Sequence, residues 1–109
     1  MWLSIGMSLG DALAALADPT RRTVVERLAR GDATVSTLAQ PYPMSLPAFS
    51  KHLTVLVDAG LVRRSKRGRS VVCSLEPGAL DDVAAWVAET TAFWHAAIDR
   101  LEKVLEEDS

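Results

Sequence analysis

Helical spacing dominates the apolar pattern of this chain, and its best-defined instance lies between Met44 and Val62. There Phe49, Leu53 and Leu56 recur at intervals of four and three, with Val57 four beyond Leu53, so one stripe of a helix is apolar. Ser45 is placed to cap that helix, Pro47 falls in its first turn, where a missing N–H costs nothing, and Gly60 supplies a left-handed stop. Outside the stripe stand Ser45, Ala48, Ser50, Lys51, His52 and Thr54, which are small, hydrogen-bonding or cationic. A helix that is apolar behind and short-chained in front can press closely against another surface, as entry into a major groove requires. An ordinary amphipathic surface helix has the same pattern, so this stretch alone leaves both readings open.

The remaining elements follow from the same patterning. Leu9 to Ala17 reads as a short helix rich in alanine and leucine. Asp18 and Pro19 restart the chain as N-cap and first helical residue of a second helix, Thr20 to Arg30, which turns Val24, Val25 and Leu28 inward and stops at Gly31. A third, shorter helix runs from about Thr34 to Gln40 with Val35 and Leu38 as core contacts, and the stiff turn Pro41-Tyr42-Pro43-Met44 sets its angle to the next helix. Val62 to Leu75 predicts two β-prone arms around a turn near Lys66, Arg67 and Gly68. Glu76-Pro77-Gly78 then breaks the strand and a long helix covers 78–107. On it Val83, Val87, Thr90, Trp94, Ala97, Leu101 and Val104 alternate by four and three, flanked by Trp86, Phe93 and Ile98. The expected architecture is one domain, 1–109, mostly α with a small β-hairpin, in the order α-α-α-α-β-β-α.

Charge sharpens this picture. The chain has 109 residues, 49% apolar and 24% charged, values of a folded domain with a modest core. Its net charge is −2, which argues weakly against a nucleic-acid partner until the charges are located. Residues 1–44 balance to 0, residues 45–75 carry +5, and residues 76–109 carry −7. The positive segment coincides with the proposed groove helix and hairpin, and Arg63, Arg64, Lys66, Arg67 and Arg69 all lie on the hairpin. A helix followed at once by a basic hairpin has the order of a winged helix-turn-helix, in which the helix enters a groove and the wing lies along phosphates or in an adjacent minor groove. A merely solvated charge run remains the alternative.

The segments "ALADPTRRTVVERLARGDATVSTLAQ" and "MSLPAFSKHLTVLVDAGLVRRSKRGRSVVCSLEPGAL" resemble the ArsR family of bacterial winged-helix transcriptional regulators, over roughly Leu9 to Glu107. The combination of "DPTRR", "SKHL…L…AGLV" and a basic wing carries the resemblance. It implies a regulator binding double-stranded DNA, with a repressor acting on its own or a neighbouring operon as the expectation. Groove contacts are then expected from Ser45, Pro47, Ala48, Ser50, Lys51 and His52, and phosphate contacts from Arg63, Arg64, Lys66, Arg67 and Arg69. Leu46 stands where many relatives have a polar residue, and would make an apolar contact to a thymine methyl.

The resemblance also implies a homodimer formed by the first and last helices, with Leu9, Leu13, Val87, Thr90, Trp94, Ala97 and Leu101 at the interface. The breadth of the terminal stripe points the same way, because one edge can pack on its own domain while the other meets a second copy; a wholly intramolecular core is the alternative. Two recognition helices related by a two-fold axis would read half-sites of a palindromic operator about 34 Å apart.

Several chemistries find no support in the residues. No acidic pair, serine elbow, Gly-rich phosphate loop or Walker pattern is present, so no enzyme activity is expected. Thiolate-type metal sensors of the family carry Cys-x-Cys on the helix that here reads Thr34-Val35-Ser36-Thr37-Leu38. Zinc sensors use Asp, His and Glu ligands on the terminal helices, where this chain offers only His95, Asp99 and Glu102 without that pattern. No metal or cofactor is therefore expected within one chain, although two chains could pool ligands. The prolines of "PYPMSLPAFSKHL" and the tail "FWHAAIDRLEKVLEE" are similar to the metal-independent branch. Cys73, the single cysteine, reads as a half-buried hydrophobe on a wing strand, with a redox role as the lesser alternative. One cysteine, no apolar run near the ~18 residues of a membrane span and a start without Lys or Arg before its apolar residues fit a cytoplasmic protein. Met7 is an alternative start. A protein-interaction module built on the same scaffold is the competing class: its long amphipathic tail would pair with another protein.

Overall fold

The computed structural model describes residues 9–107, so the Met1 and Met7 starts lie outside the described residues. The order is α1 (Leu9–Leu16), α2 (Pro19–Leu28), β1 (Ala33–Thr34), α3 (Val35–Ala39), α4 (Leu46–Asp58), β2 (Val62–Arg67), β3 (Ser70–Leu75) and α5 (Asp81–Glu107). The expected mostly helical chain with a β wing is what the structure shows, with one added strand.

Caps set the helix boundaries. Asp18 caps α2 by accepting the Arg21 backbone N–H at 3.0 Å, Thr34 caps α3 by accepting that of Thr37 at 3.2 Å, and Ser45 caps α4 by accepting that of Ala48 at 3.2 Å. Each satisfies a donor that the first turn would otherwise leave without a partner. α4 closes in a Schellman motif: Leu61 N–H donates to the Leu56 carbonyl and Gly60 N–H to that of Val57, both at 3.0 Å. The motif needs a left-handed residue, and Gly60 has φ +77°. Leu61 and Val62 are buried, so the chain enters the wing straight from the core.

β1 is the strand that periodicity did not reveal. Its two residues pair antiparallel with β3, Ala33 opposite Cys73 and Thr34 opposite Val72, giving a sheet of order β1-β3-β2. Two residues carry no alternation of their own; the partner strand creates the element. β2 and β3 pair from Val62 opposite Leu75 out to Arg67 opposite Ser70, leaving a two-residue turn of Gly68 and Arg69. Gly68 has φ +62°, as short hairpin turns require. The Glu76 N–H donates to the Leu61 carbonyl at 2.9 Å and closes the base of the wing.

The core of this first unit, through Ala79, gathers Val24, Val25 and Leu28 of α2, Leu38 of α3, and Phe49, Leu53 and Leu56 of α4, with Leu61 and Cys73. Val35, expected as a core contact, is only half-buried, because it lines an open cleft beside α4 and the wing, while Leu38 is buried. α1 contributes Ala12 and Ala15 to the core, while Leu13 is exposed.

The second unit, from Leu80, is α5. Its helix begins at Asp81, three residues later than the sequence pattern suggests: Gly78 has φ +73° and Ala79 N–H closes a turn on the Glu76 carbonyl. At about 1.5 Å per residue its 27 residues span ~40 Å. None of them is buried in the single chain, and Trp86, Val87, Phe93, Trp94, Leu101, Val104 and Leu105 are exposed. Among the described residues no helix is long and apolar enough to cross a membrane.

Candidate nucleic-acid interface

α4 is held from behind. Phe49, Leu53 and Leu56 are fully buried, and the half-buried Val57 completes the stripe. The Tyr42 ring, from the proline-bounded turn, stacks on Phe49 with centroids 5.3 Å apart and planes 26° apart. The Tyr42 hydroxyl shares a 2.5 Å hydrogen bond with Thr23 Oγ1 of α2. The turn therefore does more than connect: its one aromatic residue clamps α4 to α2.

On the outer side, Ser45, Pro47, Lys51 and Thr54 are exposed and Ala48 and Ser50 half-buried. Ser45 Oγ is already engaged as the cap, and Thr54 Oγ1 donates to the Ser50 carbonyl at 3.0 Å. Lys51, on that face, has no hydrogen-bond or ion-pair partner among the described residues, and Pro47 lies one turn before it. Leu46 is 55% exposed but lines the cleft between α4 and the wing, with Ser50, Arg64 and Val71.

His52 departs from its expected place on the open face. Its Nδ1 lies 3.4 Å from Arg21 Nη1 and 3.7 Å from Asp18 Oδ2, and its side chain is half-buried against the start of α2. The reason is angular: residue 52 precedes the buried Leu56 by one turn, so it sits on the flank of the stripe rather than opposite it. Arg21 is the hub of this cluster. Its Nε donates to the Ala15 carbonyl at 2.7 Å and its Nη2 to that of Ala14 at 3.3 Å, satisfying the end of α1. The Arg21 backbone N–H holds the Asp18 carboxyl below its ordinary value; partial desolvation opposes this, and the nearby His52 and Arg21 charges reinforce it. Sequence reasoning took Asp18 only as a cap and gave Arg21 no role; the "DPTRR" run was the available signal.

The five wing cations do not form one set. Arg63 approaches Glu76 at 3.8 Å, at the base of the wing. Arg64, next along the strand, points to the other face and lies opposite the buried Cys73. Lys66 and Arg67 are exposed near the tip, and Arg69 occupies the turn. Cys73 itself is fully buried rather than half-buried, and burial pushes its thiol pKa up, with Arg64 opposing weakly. A thiol kept protonated is a poor nucleophile. Among the described residues no group of three or more His, Cys, Asp or Glu could hold a metal ion.

A "Helix-turn-helix domain" family model matches residues 16–65, from the end of α1 into β2. The HTH-type transcriptional regulator Rv2034 of Mycobacterium tuberculosis is 40% identical over 97 residues, covering 89% of this chain and 88% of the relative. The transcriptional repressor SdpR of Bacillus subtilis is 30% identical over 72% of this chain and 88% of its own length. The crystal structure of an ArsR family transcriptional regulator superposes with a TM-score of 0.75 at 48% identity, over 80% of this chain and 96% of that one. With a capped helix held by a buried stripe, a cationic wing beside it and relatives aligned over nearly the whole chain, the protein belongs to the ArsR family of winged helix-turn-helix regulators, which bind DNA to control transcription and are not enzymes.

Proposed function

We propose that this regulator is a cytoplasmic, homodimeric repressor of a palindromic operator, with α4 in the major groove and the wing on the flanking backbone. The observation that carries this reading is the pairing of Lys51, free on the outer face of α4, with Lys66, Arg67 and Arg69 on the projecting hairpin. Pro47, Ala48 and Ser50 keep the approach close, and Ser45 presents its hydroxyl at the leading end. His52 supports the helix from its flank rather than leading the contact. The relative SdpR is named a repressor, which supports the sign of regulation. On α5, exposed Val87, Thr90, Trp94 and Leu101 with the half-buried Ala97 are offered to a second copy, and on α1 Leu9 and Leu13 are offered separately.

Fluorescence anisotropy with the duplex from immediately upstream of the gene, against a shuffled duplex, tests this at two salt concentrations, with zinc and then with chelator. Tight, salt-sensitive binding that prefers the native duplex and ignores zinc is the expected result, with a dimer by sedimentation. A zinc response would revive a sensor that pools ligands such as His95 and Asp99 across two chains. The exposed apolar face of α5 favours a second reading, a protein-interaction module; a dimer with no duplex affinity at low salt would select it.

A further inference from the structure

Strand alternation turns Arg64 toward the helices, and the space it enters is a cleft of about 470 Å³ between α3, α4 and the wing. Two arginines, Arg64 and Arg69, line it together with the hydroxyl-bearing Ser36, Ser50 and Ser70. Neither arginine has a carboxylate within ion-pair distance among the described residues, whereas the neighbouring Arg63 is near Glu76. Thr34 adds a hydroxyl already bonded within α3, and Val35, Leu46, Leu53 and Val71 supply the carbon walls. Leu46 and Val71 are 55% and 37% exposed, so the cleft presents uncovered carbon surface beside uncompensated positive charge.

We propose that this cleft binds a small organic anion, an apolar body of a few carbons bearing one phosphate or carboxylate, and that the anion competes there with DNA. Guanidinium forks match either head group with paired, charge-assisted hydrogen bonds. The volume falls within the ~300–1,000 Å³ of small-molecule sites, which combine apolar walls with a few convergent polar groups. A backbone phosphodiester alone would meet Arg64 and Arg69 but would bring charged oxygen rather than carbon to Leu46 and Val71. The competition rests on the proposed α4–wing interface, since an occupant lies between the two elements assigned to DNA; the binding site itself does not.

Calorimetry on the full chain with phenyl phosphate, benzoate and inorganic phosphate, at constant ionic strength, tests the site. One saturable site per chain is expected for phenyl phosphate or benzoate, with inorganic phosphate at least about tenfold weaker because it leaves the apolar floor uncovered. Arg64→Ala should weaken the organic anion by at least about tenfold, while Arg63→Ala, on the other face of β2, should not change it. Leu46→Ser, at an exposed position, should erase the preference for the organic over the inorganic anion. Equal affinity for phenyl phosphate and inorganic phosphate, absence of saturable binding, or an indifferent Arg64→Ala variant with an unchanged thermal melt would each overturn the site. Displacement of a labelled duplex by phenyl phosphate, beyond the effect of matched sodium sulfate, is expected in parallel. Ligand binding without displacement overturns the competition, and failure to bind the duplex without ligand overturns the DNA reading instead.

Discussion

Arg21 Nη1 lies 3.4 Å from His52 Nδ1, and through that contact the first turn of α2 reaches the middle of α4. The same guanidinium holds the last carbonyls of α1, so one side chain joins three helices. Nδ1 accepts from Arg21 only when it carries no proton; a protonated His52 would turn its donor to Asp18 instead.

Arg21→Ala should therefore destabilise the fold by about 1–3 kcal/mol, since it takes the Nε donor from the Ala15 carbonyl, while Ala14 keeps the Ala17 N–H at 3.2 Å. At fixed protein concentration the melting temperature should fall by about 4–8 °C per kcal/mol for a domain of this size. A circular-dichroism melt unchanged from the parent would show that the hub is dispensable.

Asp18→Asn isolates the charge of the α2 cap, because Asn caps nearly as well as Asp. The Asp18 carboxyl is held below its ordinary value of 3.8, chiefly by the Arg21 N–H. A depressed folded-state pKa stabilises the protein above the unfolded value, and that contribution is lost as pH falls through the folded one. The stability difference between parent and variant should thus be full above about pH 5 and shrink as the pH drops below 3.8. Urea unfolding at several pH values measures it; a difference that grows on acidification would contradict the assignment.

Tyr42 is predicted to set the pose of α4. Tyr42→Phe keeps the stack on Phe49 and loses the hydrogen bond to Thr23, costing about 0.5–1.5 kcal/mol. Tyr42→Ala loses both and should cost more, with weaker duplex binding. Equal destabilisation by the two variants in urea titrations would mean that the stack contributes nothing.

Cys73 should resist thiol reagents at neutral pH and react only as the chain unfolds, because it is fully buried and its pKa is raised by burial. Cys73→Ser should destabilise by about 1–3 kcal/mol by placing a hydroxyl without a partner in the core. Labelling by a chromogenic disulfide at the rate of a free thiol would reopen a redox role.

Arg69→Ala at the wing turn should weaken binding to every duplex and reduce the slope of log affinity against log salt by about 0.9. The same variant should leave the ranking of native over shuffled duplex intact. Unchanged affinity and slope would remove the wing from the interface.

Much of the fold was legible because each element carried its own local signal. Asp18-Pro19, Ser45 with Pro47, and Gly60 are caps and stops whose effect depends on a handful of neighbouring atoms, and all act where the sequence places them. The Phe49, Leu53 and Leu56 stripe is similarly self-announcing, since a 3.6-residue period permits only one buried side. What stayed hidden depends on partners distant in sequence. β1 exists because β3 offers Cys73 and Val72 to a two-residue segment.

By itself, then, the chain determined its helices, its hairpin, the cationic character of residues 45–75 and its resemblance to a family of DNA-binding regulators. Only the tertiary structure decided which of those charged and polar groups remain free. Packing α4 on α2 drew His52 to Arg21 and Asp18, the strand pleat sent Arg63 to Glu76 and Arg64 into a cleft, and the sheet buried Cys73 completely. Residue type and spacing fix local conformation, but a side chain's availability is set by what the rest of the fold brings within a few ångströms of it.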